Sequence, residues 1–164
     1  MNNLNAIAAV LEKKKKLNFF KINIPEPEEN QTAIKFIYSG ICGSQFMEYY
    51  GNRGKDKWLP HMLGHEAVGE VIAVGKKVNN IKPRDKVIVS WLKNKSNKKK
   101  DVGGRIKLKS KYINYGPVTT FSTISLVSVN RVYKLPKYIP TKYFISVLMQ
   151  NFRIFFVNLI QMLD

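Results

Sequence analysis

The run Gly64-His65-Glu66-Ala67-Val68-Gly69-Glu70-Val71-Ile72-Ala73-Val74-Gly75 constrains the fold of this chain more than any other segment. It places a histidine and a carboxylate at the mouth of a valine- and isoleucine-rich strand, and it fixes the register of that strand with glycines. Glycine inside a strand marks a bulge or a close backbone approach, so Gly69 and Gly75 read as bend and turn geometry. Upstream lies Cys42, in Ser39-Gly40-Ile41-Cys42-Gly43-Ser44-Gln45. A soft sulfur ligand and an imidazole on separate loops are what a zinc site with an open coordination position requires.

The same strand chemistry recurs along the chain. Residues 6–12, 17–23, 32–38, 66–74, 86–91 and 118–129 are rich in valine, isoleucine and aromatics and are bounded by Gly, Pro and Asn. Such segments predict strands closing into a barrel-like sheet. Residues 91–104 are lysine, asparagine, serine and glycine, the composition of a loop. The length of 164 residues fits one real core.

The pattern G-H-E-x-x-G-x-x-x-x-x-G-x-x-V, preceded by Gly40-Ile41-Cys42-Gly43-Ser44 and followed by Lys82-Pro83-Arg84-Asp85-Lys86-Val87, resembles the catalytic domain of zinc-dependent alcohol dehydrogenases. These form the medium-chain dehydrogenase/reductase family. The resemblance runs from about Ala8 to Leu135-Pro136 and also takes in Ile24-Pro25-Glu26-Pro27 and Leu59-Pro60. It implies a mainly β fold: a GroES-like β-barrel at residues 1–136 with short helices. It also implies alcohol–carbonyl interconversion with NAD(P) in an intact relative.

Residue by residue, the resemblance makes Cys42 and His65 the first two zinc ligands. It sets Glu66 close to the metal, either as a ligand or as a carboxylate hydrogen-bonded behind it. Ser44 occupies the position of a hydroxyl that relays the alcohol proton; a hydroxyl both donates and accepts, so it passes a proton without becoming charged. A turn-capping serine is the alternative reading of that residue. His61 reads as a loop residue near the substrate entrance or exposed, and Trp58, Tyr49 and Trp91 are candidate pocket walls.

Five departures from the family pattern stand out. Gln45 replaces an aspartate that would hydrogen-bond the imidazole ligand, which bears on metal affinity. Arg84 stands where a tight turn favours glycine. The four cysteines of a structural zinc lobe are absent, since Cys42 is the single cysteine, so one catalytic zinc and no structural zinc is expected. A third catalytic ligand is also missing, because no acid lies between Asp101 and Asp164 and that stretch has no cysteine. Nor does the chain contain the G-x-G-x-x-G fingerprint of a dinucleotide site.

The net charge is +17 and the pI about 10.0. Charge of this size would favour nucleic acid or an anionic membrane if it were gathered on one face. The lysines instead cluster at residues 13–16, 93–100 and 107–111 beside turn formers, and read as solvated loops. A single cysteine excludes an internal disulfide, and the N-terminus has no apolar signal run. A cytoplasmic location is expected.

Residues 137–164 read as an apolar helical tail, the remnant of a junction to a nucleotide-binding domain that the chain lacks. Arg153 argues against a membrane span, at roughly 2.5–3.5 kcal/mol for a central arginine. With no glycine or cysteine after Pro140, the resemblance stops there, and a truncated or frame-shifted gene is expected. The sequence therefore points to a catalytic-domain fragment of a zinc-dependent dehydrogenase, inactive alone, acting on a small alcohol or carbonyl. Two other classes stay open. One is a non-catalytic barrel module docking a partner chain, such as a separate cofactor domain or a second copy; the other is a basic nucleic-acid-binding protein.

Overall fold

The computed structural model describes residues 4–95, 97–136 and 155–158. β1 (Leu4–Lys13) and β2 (Lys16–Ile24) form a hairpin, in register from Leu4 opposite Ile24 to Leu11 opposite Leu17. β3 (Gln31–Ile41) leads into a seven-residue helix, α1 (Gly43–Tyr49). There follow β4 (His61–Met62), β5 (Ala67–Val74), β6 (Lys86–Val89), β7 (Gly104–Leu108), β8 (Lys111–Tyr115), β9 (Ile124–Ser128), β10 (Val132–Lys134) and β11 (Phe155–Asn158).

The strands make two sheets. One has the order β2-β1-β4-β8-β7, and the other β10-β6-β5-β3-β11 with β9 also paired to β3. The expected mainly β, barrel-like architecture is thus what the chain adopts. Strand alternation distributes two cores. Ala6, Ala8 and Val10 of β1 pack with Ile22, Ile24, Ile106, Ile113 and Leu126. Ile34 and Phe36 of β3 pack with Ala67, Val71, Val87, Val89 and Val127. Successive side chains of a strand point to opposite faces, so β3 and β9 feed both cores: Ala33 and Leu126 face the first, Ile34 and Val127 the second.

The two glycines of the opening motif act through close approach. A Cβ at Gly69 would lie 2.5 Å from the Lys35 carbonyl oxygen, and one at Gly75 would lie 1.8 Å from that of Glu28. Only a residue without a side chain lets β5 run this close to its neighbours. Arg84 has φ +71° in a turn closed by the Asp85 N–H donating to the Lys82 carbonyl at 3.1 Å.

Three expectations are corrected. Of the lysines at 107–111, only Lys109 is in a turn; Lys107 and Lys111 belong to the strands of the β7–β8 hairpin, in which Ile106 opposes Ile113. The strand expected over 118–129 is shorter, because Thr119, Thr120 and Ser122 are buried in an irregular polar segment before β9. The helical tail was expected over 137–164. Residues 137–154 and 159–164 lie outside the described residues, but Phe155–Asn158 form a strand antiparallel to Tyr38–Ile41 of β3. That part of β3 extends past its pairing with β9, leaving backbone groups that take up a ladder partner, and Phe-Phe-Val is strong strand-forming sequence. No helix among the described residues is long and apolar enough to cross a membrane.

Candidate metal and substrate site

Backbone pairing between the end of β3 and the start of β5 brings two distant sequence motifs together. The Gly40 N–H donates to the Glu66 carbonyl at 2.8 Å, and the Ser39 hydroxyl donates to the same oxygen at 3.2 Å. Cys42 follows Gly40 by two residues and His65 precedes Glu66 by one, so this clamp fixes their separation. Gly64 has φ +90°, and a Cβ there would lie 2.4 Å from Thr120 Oγ1. A glycine is therefore what turns the chain to present His65.

Cys42 is the N-cap of α1. Its Sγ lies 2.9 Å from Ser44 Oγ and 3.4 Å from His65 Nε2, and it accepts from the Ser44 N–H at 3.4 Å. Gln45, buried in the first turn, accepts from the Cys42 N–H through Oε1 at 2.8 Å, and its Nε2 lies 2.7 Å from His65 Nδ1. Burial, with the charge of Arg53 second, lowers the pKa of His65 from its ordinary value, which keeps the ring neutral as a metal ligand must be.

The Cys42 and His65 donors fit two positions of a zinc shell. Bonds of about 2.3 Å to sulfur and about 2.0 Å to nitrogen at the tetrahedral angle set the two atoms about 3.5 Å apart, against 3.4 Å here. Among the described residues, no group of three or more His, Cys, Asp or Glu side chains could hold a metal ion, so Glu66 does not complete such a set with this pair. The Glu66 side chain is buried, its Oε2 has no hydrogen-bond partner, and burial raises its pKa.

His65 lines a cleft of about 880 Å³ that also takes in Arg53, Trp58, His61, Arg105 and Tyr115. Two residues expected as walls lie elsewhere. The Tyr49 ring meets Tyr50 edge-on at 5.0 Å and its hydroxyl donates to the Lys15 carbonyl at 3.1 Å. Trp91 is 48% exposed and does not line the cleft. His61 is on the cleft wall. Both of its ring nitrogens are engaged: Nε2 with Asp56 Oδ2 at 2.7 Å, and Nδ1 with the Met62 carbonyl at 3.0 Å. Sequence reasoning missed Asp56, Arg53 and Arg105 as cleft residues, since none carries a local pattern.

Comparison with known proteins agrees with this fold. The family model for the alcohol dehydrogenase GroES-like domain matches residues 28–137. D-arabitol-phosphate dehydrogenase of Enterococcus avium is 38% identical over 69 residues, 42% of this chain and 19% of that protein. Sorbitol dehydrogenase of Bacillus subtilis (strain 168) is 34% identical over 88 residues, 52% of this chain and 25% of that protein. Among solved structures, 2R,3R-butanediol dehydrogenase from Bacillus subtilis matches with a TM-score of 0.62 at 26% identity, over 84% of this chain and 42% of that one. The matched regions are thus a quarter or less of these curated relatives.

Proposed function

Because the chain belongs to the alcohol dehydrogenase GroES-like domain family, we propose that it is the zinc-binding, substrate-holding catalytic domain of an oxidoreductase that interconverts an alcohol and a carbonyl. Cys42 and His65 are the residues that would hold the metal, with the Glu66 carboxylate as the neighbouring acid. The observation that carries this reading is the 3.4 Å approach of Cys42 Sγ to His65 Nε2, with His65 on the wall of a cleft large enough for a small alcohol. When bound, zinc supplies Lewis-acid polarisation of the substrate oxygen.

The remaining chemistry belongs to the chain's own side chains. Ser44 Oγ sits beside the sulfur and is suited to accept the substrate hydroxyl proton and hand its own on, because a hydroxyl can do both in one step. The buried Glu66, short of one hydrogen bond, is suited to balance local positive charge. Trp58 gives the cleft an apolar wall. Hydride transfer also needs a nicotinamide, which the protein must hold and orient. With no dinucleotide fingerprint in the sequence, the chain is expected to need a separate NAD(P)-binding unit for turnover.

Zinc stoichiometry tests this reading. Elemental analysis of the purified chain should find about one zinc per chain, and the Cys42→Ala variant should retain none above background. Undiminished zinc in that variant would remove the assignment of the site.

A further inference from the structure

Gln45 makes two hydrogen bonds that together dictate which nitrogen of His65 carries the proton. The Cys42 N–H is a backbone group and can only donate, so the amide atom facing it at 2.8 Å must be the oxygen. The amide nitrogen, which can only donate, is then the atom 2.7 Å from His65 Nδ1. Nδ1 must accept, and the proton of the neutral ring sits on Nε2, the atom pointing at Cys42 Sγ. The sulfur thereby faces the His65 Nε2–H and the Ser44 N–H as donors, with Ser44 Oγ 2.9 Å away.

We propose that Gln45 is a positioning residue that favours His65 as the Nε2–H tautomer, which zinc must reverse in order to bind, and so weakens without abolishing zinc binding at the Cys42–His65 pair. Zinc needs the lone pair of Nε2, and in a metal-ligating histidine the other ring nitrogen normally donates its N–H to a carboxylate or carbonyl. Here that N–H would meet the NH2 of Gln45, donor against donor. Rotating the amide half a turn only moves the conflict to the Cys42 N–H and breaks the cap of α1. One amide cannot satisfy the cap and orient the histidine for metal at the same time. A carboxylate of the same shape can, because both of its oxygens accept. The Gln45→Glu variant therefore keeps the cap and releases the tautomer.

The test has two arms. In zinc-free protein labelled with 15N-histidine, long-range 1H–15N correlation reads the tautomer directly, and the chain has only two histidines to assign. The wild type should show His65 protonated on Nε2, and Gln45→Glu should show it on Nδ1. Competition against a chromophoric chelator reads zinc affinity, which should be on the order of 10–100-fold tighter in Gln45→Glu. This second arm rests on the zinc reading above. If neither protein takes zinc, that reading fails, while the tautomer spectrum still decides the present one. A wild-type His65 protonated on Nδ1 overturns the proposal, whether or not the Glu variant folds. So does an unchanged zinc affinity once the tautomer has switched.

Discussion

Arg84 shows how one residue can be both a departure from a pattern and a compatible part of the fold. Lys82-Pro83-Arg84-Asp85 closes through Asp85 N–H to the Lys82 carbonyl, a turn with proline second and positive φ third. A side chain in the left-handed region costs about 1 kcal/mol or somewhat more, and glycine recovers most of that. Arg84→Gly should stabilise the protein by about 0.5–1 kcal/mol. The readout is a higher urea midpoint at unchanged slope, and a midpoint no higher than that of the parent would contradict it. The position was legible in the sequence because proline and aspartate bracket it. Cys42, Ser44 and His65 were legible for the same reason, each sitting in a glycine-marked motif. The Asp56–His61 contact was not, since five loop residues without periodicity give no signal. The conflict at Gln45 emerged only with the direction of the Cys42 N–H.

Elements defined by alternating apolar residues were read correctly, and those masked by charge or shortness were not. β1, β2, β3, β5 and β6 all fall where valine, isoleucine and phenylalanine predicted them. β7 and β8 each bury little beyond Ile106, Ile113 and Tyr115, so the lysines around them dominated the reading. α1 is too short for a helical period and leaves Phe46 and Met47 exposed. The lysine-rich loop before β7 is held by Asp101, which accepts from Arg131 Nε at 3.0 Å and Nη2 at 2.7 Å, from Asn130 Nδ2 at 3.0 Å, and pairs with Lys93 at 3.0 Å. The Arg131 guanidinium, with Lys93 and Asn130 behind it, holds the Asp101 carboxyl well below the usual carboxylate range. A carboxyl depressed in the folded state stabilises fully above its unfolded value of about 3.9, and loses that contribution as pH falls towards the folded value. Asp101→Asn should therefore cost about 1–2 kcal/mol at neutral pH, a gap that narrows below about pH 4. Denaturant titrations of both proteins at several pH values check this, and a gap that stays constant into acid would refute the ion-pair account.

Apart from the β1–β2 and β7–β8 hairpins, the strands are joined largely to partners remote in sequence. β1 takes β4 as a neighbour, and β3 takes β5, β9 and β11. Both halves of the candidate site hang from the junction of β3 with β5. With a net charge of +17, acids such as Glu12 gather cations from separate hairpins, here Lys16 at 3.2 Å and Lys111. The central position of β3 sets the pace at which this protein comes into being. Its ladders close long loops, whose entropy must be lost before any contact rewards it, so refolding belongs in the millisecond-to-second range of barrels rather than the microseconds of helical bundles. Stopped-flow refolding followed by tryptophan fluorescence gives that rate directly. The sulfur and the imidazole become neighbours only after the barrel has closed around them, so a metal held at the proposed site would be captured late in folding, and on that reading zinc should slow unfolding far more than it speeds folding.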